Sequence, residues 1–128
     1  MTRELAGVCL ITDDVRRLAG FYALVLERPG EVGGDFASFA SGAPGGVTLS
    51  ICAAGVMESL APGSTAGTGN GRVVVELAVD DVDVEHVRLS EAGVPVVKPP
   101  TTQPWGLRSV WFRDPDGNVV NLFARVAG

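Results

Sequence analysis

Val73-Val74-Val75-Glu76-Leu77-Ala78-Val79-Asp80-Asp81-Val82 reads as a strand that runs directly into the first turn of a helix. β-branched residues dominate its first part, and the paired aspartates offer an N-cap at its end. The same order stands earlier in the chain. Leu5 to Thr12 is apolar and partly β-branched, Asp13-Asp14 follows, and Val15 opens a helical pattern. Thr12-Asp13-Asp14-Val15 and Val79-Asp80-Asp81-Val82 therefore mark the same point in two similar halves.

The rest of each half fits this duplication. Val15 to Glu27 places Val15, Leu18, Phe21, Tyr22 and Leu26 at helical spacing, and Pro29-Gly30 stops that helix. Strands are expected at Asp35 to Ala40 and Val47 to Cys52. In the second half a helix runs to Ala92 on Val82, Val84, Val87 and Leu89, closed by Gly93. Strands are expected at Val94 to Val97, Ser109 to Arg113 and Asn118 to Arg125. The last two are joined by Asp114-Pro115-Asp116-Gly117-Asn118, a strong turn signal. Between the halves, a short helix near Val56 to Leu60 leads into a Gly-, Ser- and Thr-rich linker. Because one half alone leaves a sheet face uncovered, the halves are expected to form a single domain over 1–128. Module one covers about 5–53, the linker 54–71 and module two about 72–126.

Composition narrows the function. The 128 residues carry 46% hydrophobic side chains and 20% charged ones, enough for one packed core. The formal charge is −5, Lys98 is the single lysine, and no basic cluster stands out, which argues against a nucleic-acid partner. No apolar run approaches a membrane span, and no leader-like segment opens the chain, so a cytoplasmic protein with no membrane partner is expected. Cys9 and Cys52 lie in apolar runs without CxxC spacing and read as buried free thiols. There is no nucleophile–base set and no phosphate loop. Gly67-Thr68-Gly69-Asn70-Gly71 precedes a strand and opens no helix, so it is no dinucleotide fingerprint.

Three spaced segments carry a family resemblance: Val73 to Asp83, Glu91-Ala92-Gly93-Val94 to Val97, and Pro104-Trp105-Gly106 through the Asp114–Asn118 turn to Leu122. With Val8 to Asp14 and Phe21 to Glu27, they resemble the vicinal-oxygen-chelate superfamily of glyoxalases, bleomycin-resistance proteins and extradiol dioxygenases, over nearly the whole chain. The resemblance implies an α+β fold of two βαβββ modules around a cavity, commonly as a homodimer. In the family's enzymes it also implies a divalent metal held by His, Gln or Glu in a module's first strand and by Glu in its last. Those positions fall here at Gly7 and Val74, and at Ser50 and Asn121. Glycine and valine have no donor, and serine and asparagine are weak neutral ligands, so neither a metal nor any other cofactor is expected. A register shift of two residues would bring Glu76 to the position of Val74. The single histidine, His86, is placed on the second helix, away from the cavity.

Strand alternation assigns the cavity face. Val74, Glu76 and Ala78 point inward, as do Ser109, Trp111 and Arg113, and Val119, Asn121 and Phe123. Gly7, Cys9, Ile11, Thr48, Ser50 and Cys52 do the same in the first half, joined by Phe36 and Ser38. The expected ligand set is Phe36, Ser50, Glu76, Trp105, Arg108, Trp111 and Asn121. Trp105 and Trp111 either stack on a ring-bearing ligand or pack in the core or an interface. Glu76 either meets a cation or pairs with Arg108 or Arg113. The sequence thus points to a metal-free protein binding a small organic molecule, in the manner of the bleomycin-resistance relatives. The alternatives are a metal-dependent lyase or dioxygenase, and a metal-free isomerase using Glu76 as base.

Overall fold

The structure is a computed structural model that describes residues 6–66 and 73–126. The expected strand start at Leu5, the linker residues Gly67 to Gly71 and Arg72 lie outside the described residues. The chain divides into two compact units, Met1–Thr68 and Gly69–Gly128.

The first unit runs β1 (Gly7–Thr12), α1 (Val15–Leu26), β2 (Glu31–Val32), β3 (Phe36–Phe39), β4 (Thr48–Ala53) and α2 (Ala54–Leu60). The sheet order is β1-β4-β3-β2, with β1 parallel to β4 and the other pairs antiparallel. α1 begins where the aspartate pair is expected to cap it: the Asp14 carboxylate accepts from the Arg17 amide at 3.1 Å. Its apolar stripe, Val15, Leu18, Ala19, Tyr22 and Val25, is buried with Leu10, Ala37, Phe39 and Ile51 of the sheet. Gly30 then turns the chain at φ 62°, where a Cβ would lie 2.5 Å from the Phe39 ring. β2 was not located in the sequence, because two residues carry no periodicity.

α2 is closed by its own side chain. The Glu58 carboxylate accepts from the Gly63 amide at 2.5 Å and from the Thr65 hydroxyl at 2.6 Å. The Thr65 hydroxyl, followed by the Gly63 and Thr65 amides, holds the Glu58 carboxyl below its ordinary pKa. A depressed carboxyl stabilises the turn above its ordinary pKa, and that support is lost as pH falls through the depressed value. The Gly63 amide resonance is therefore expected to titrate below the usual glutamate range; a midpoint at the ordinary value would refute the contact.

The second unit runs β5 (Val74–Ala78), α3 (Val82–Glu91), β6 (Val96–Thr102), β7 (Leu107–Arg113) and β8 (Val119–Arg125). Its order, β5-β8-β7-β6, repeats the first unit, again with one parallel pair, β5 and β8. The Asp81 carboxylate caps α3 by accepting from the Val84 amide at 3.1 Å. Val110, Phe112, Val120 and Leu122 face α3 and are buried with Val82 and Leu89. The strand expected at Val94 to Val97 lies later, at Val96–Thr102, and passes through Pro99-Pro100. An edge strand tolerates proline because its outer N–H groups need no ladder partner, and the register with β7 is irregular on both sides of Lys98. The fold is α+β, two βαβββ units in one chain. No helix among the described residues is long and apolar enough to cross a membrane.

The Asp114–Asn118 turn joins β7 to β8. Asp114 is 4% exposed; its carboxylate accepts from the Asp116 amide at 2.9 Å, the Asn118 amide at 2.8 Å and the Asn118 side-chain amide at 2.9 Å. Gly117 supplies the positive φ, 88°. The segment acts as turn chemistry, as its residue types indicate.

Candidate functional site

One row of side chains crosses the second unit's sheet on the face opposite α3. Glu76 on β5 is in register with Asn121 on β8. Asn121 is in register with Trp111 on β7, and Trp111 with Lys98 on β6. Period-two alternation puts all four on one face, since Leu77, Val110, Phe112, Val120 and Leu122 take the other. A carboxylate therefore stands at one end of the row, an ammonium at the other, and an amide and an indole lie between them.

The Asn121 side-chain N–H donates to the Glu76 carboxylate at 3.2 Å. A carboxylate only accepts, so this contact fixes which way the amide points. The Lys98 Nζ sits 5.5 Å from the centre of the Trp111 ring and covers one face of the indole. Trp111 Nε1 and Asn121 Oδ1 are both buried, and among the described residues neither has a hydrogen-bond partner. Buried polar atoms are seldom left so, because each costs about 1–3 kcal/mol unpaired.

The first unit carries the corresponding row. Cys9 is in register with Ser50, Ser50 with Ser38, and Ser38 with Glu31. Phe36, half exposed, lies beside Cys52 on the same face. Cys52 is buried, but Cys9 is exposed, which corrects the expectation of two buried thiols. β1 is the edge strand of this four-stranded sheet. Partial burial of the sulfur, then the nearby Cys52, keep the Cys9 thiol above its ordinary pKa and disfavour the thiolate.

The structure does not bring every expected residue to these rows. Arg108 shares the α3 side with Val110 and Phe112; its guanidinium donates to Asp83 on α3 at 2.8 and 2.9 Å and to Thr102 at 3.0 Å. This ion pair raises the Arg108 pKa and lowers that of Asp83. Arg108 therefore does not pair with Glu76, and neither does Arg113, which donates to the Gly117 carbonyl at 2.7 Å. Trp105 is 70% exposed in the β6–β7 turn, off the sheet face. His86 lies on α3, its ring 6.4 Å from that of Phe112. Lys98 was missed. Its signal was that it is the chain's single lysine, but the proline pair after it masked the strand.

The residues present do not fit a divalent metal. The neighbour of Asn121 is Glu76, two residues beyond Val74, and the neighbour of Ser50 is Cys9, two beyond Gly7. Glu76 adds one carboxylate beside a neutral amide. A Cβ on Gly7 would lie 2.8 Å from the Thr48 carbonyl oxygen, so that position accepts no side chain without backbone movement. Among the described residues no three His, Cys, Asp or Glu gather where they could hold an ion.

A family model described as the glyoxalase/bleomycin resistance protein/dioxygenase superfamily matches residues 5–122. Solved structures with a similar fold include a glyoxalase/bleomycin resistance protein/dioxygenase from Nocardioides. It is 24% identical, with TM-score 0.78, over 100% of this chain and 87% of that one. A family enzyme from Burkholderia phytofirmans is 18% identical, with TM-score 0.82, over 97% of this chain and 100% of the other. No curated protein matches significantly.

Proposed function

Since the chain belongs to the glyoxalase/bleomycin resistance protein/dioxygenase superfamily, we propose that it is a metal-free binding protein for a small organic molecule. It takes the molecule on the face of the second unit's sheet opposite α3 and acts by sequestration. The observation that carries this reading is the Glu76–Asn121–Trp111–Lys98 row, which sets a carboxylate, an amide, an indole and an ammonium on one sheet face. Convergent polar groups around an aromatic side chain suit a ring-bearing ligand. Among the described residues, the donor set gives no support to a metal-dependent reaction.

Titration against a panel of aromatic and cationic drugs, followed by tryptophan fluorescence, tests the binding reading. A panel member is expected to bind, and Trp111→Leu is expected to weaken it by at least about tenfold, as for a central aromatic anchor. Binding is expected to survive chelation by EDTA. Elemental analysis showing one tightly held manganese, zinc or iron per chain would sink the proposal. The same reading expects a homodimer, checked by light scattering.

A further inference from the structure

We propose that the outer face of α1 in one copy of the chain packs antiparallel on the outer face of α3 in a second copy. This contact belongs to the homodimer that the reading above expects, and it does not depend on the ligand.

Each helix buries one stripe against its own sheet and leaves the opposite stripe exposed. On α1 the exposed stripe is Arg17, Gly20 and Leu24, with Arg16 beside Arg17. On α3 it is Val84, Val87 and Glu91, the two valines 59% and 54% exposed. Residues three or four apart lie one above another on a helix, so each stripe climbs two turns. Run in opposite directions, the stripes match turn for turn: the arginines meet Glu91, Gly20 meets Val87, and Leu24 meets Val84. The α3 stripe also lines a shallow open depression of the surface. The basic and the acidic face belong to the same chain. A second copy therefore supplies what each face lacks, and a two-fold axis forms the contact twice.

Four of these residues disfavour the helix that carries them. Arg16 and Arg17 put positive charge at the positive end of the α1 macrodipole, and no acidic residue stands in that first turn. Glu91, the last residue of α3, puts negative charge at its negative end. Gly20 lies inside α1, where only proline is a poorer helix former. A Cβ at Gly20 would have nothing within 4 Å, so no packing among the described residues calls for a glycine there. The antiparallel contact turns all four to use. The arginines reach a carboxylate, the glycine leaves a notch for Val87, and the two macrodipoles oppose. The other charges on this side of α3 are already held, Asp83 by Arg108 and Arg88 by Glu85. Among the described residues, no ion pair holds Arg16, Arg17 or Glu91.

The test is light scattering of the full chain over a dilution series, with three variants. Arg16→Glu with Arg17→Glu reverses the α1 charge, Glu91→Arg reverses the α3 charge, and Gly20→Leu fills the notch. Each suits its own helix better than the parent residue, so melting temperatures are expected to hold or rise. Each is nonetheless expected to weaken the dimer by at least about tenfold, because it acts in both symmetric contacts. An equimolar mixture of the two charge-reversed variants is expected to dimerise like the parent, since every reversed arginine pair then faces a reversed glutamate. A mixture that stays dissociated overturns the pairing of α1 with α3. A dimer that none of the variants weakens lies on another face and also overturns it, while the homodimer expectation stands. A parent chain that remains monomeric at millimolar concentration overturns both, and leaves the ligand reading to the drug panel. Lower melting temperatures at unchanged mass mark a contact within one chain and overturn the role of the second copy.

Discussion

Asp114→Ala is expected to lower the unfolding free energy by about 3 kcal/mol, through the loss of charge-assisted hydrogen bonds to buried partners. Three donors converge on this carboxylate: the Asp116 amide, the Asn118 amide and the Asn118 side chain. Asn118 is itself 7% exposed, so alanine leaves its donors with neither protein nor free solvent. The turn also sets the register of β7 on β8, and thereby the placement of Trp111 beside Asn121. In a chain of this size the melting temperature is expected to fall by about 10 °C. Asp114→Asn keeps one acceptor for the backbone but turns an N–H toward the Asn118 side chain, and is expected to cost about half as much. Thermal unfolding followed by circular dichroism checks both, and a fall of less than about 2 °C for the alanine variant refutes the account.

Gly7→His is expected to destabilise the chain by about 2 kcal/mol and to bring no metal with it. The obstacle is backbone. A Cβ at this position would stand 2.8 Å from the Thr48 carbonyl oxygen, which belongs to the neighbouring strand and cannot swing aside as a side-chain tip can. Val74→His makes the matched comparison. Val74 holds the corresponding first-strand place in the second unit and is 55% exposed, so a histidine there is expected to change the melting temperature by no more than about 2 °C. A Gly7→His variant as stable as the parent would show that β1 and β4 move apart readily, and would reopen the question of a lost metal ligand. The two variants together separate a position that merely lacks a donor from one that has no room for it.

Much of the fold was legible because the signals are local. The aspartate caps, the helical stripes of α1 and α3, and the Asp-Pro-Asp-Gly-Asn turn are each set within a few residues, by backbone hydrogen bonding and side-chain period. Alternation also sorted Glu76, Trp111 and Asn121 from Val110, Phe112, Val120 and Leu122. Arg108 marks where it was not carried through. It has the parity of Val110 and Phe112, and its partner Asp83 is 25 residues away.

The sequence by itself determined that this is a duplicated βαβββ chain, and that the positions the family resemblance gives to metal ligands hold Gly7, Val74, Ser50 and Asn121. Only the tertiary structure decided which side chains stand together. Glu76 meets Asn121 across 45 residues of chain, and Lys98 reaches Trp111 from an edge strand that two prolines hide. Periodicity tells which face a residue takes, because it repeats every two residues along one strand. It carries no information about how far one strand slides along another, since register comes from turns and core packing elsewhere in the unit. The site is a property of that register.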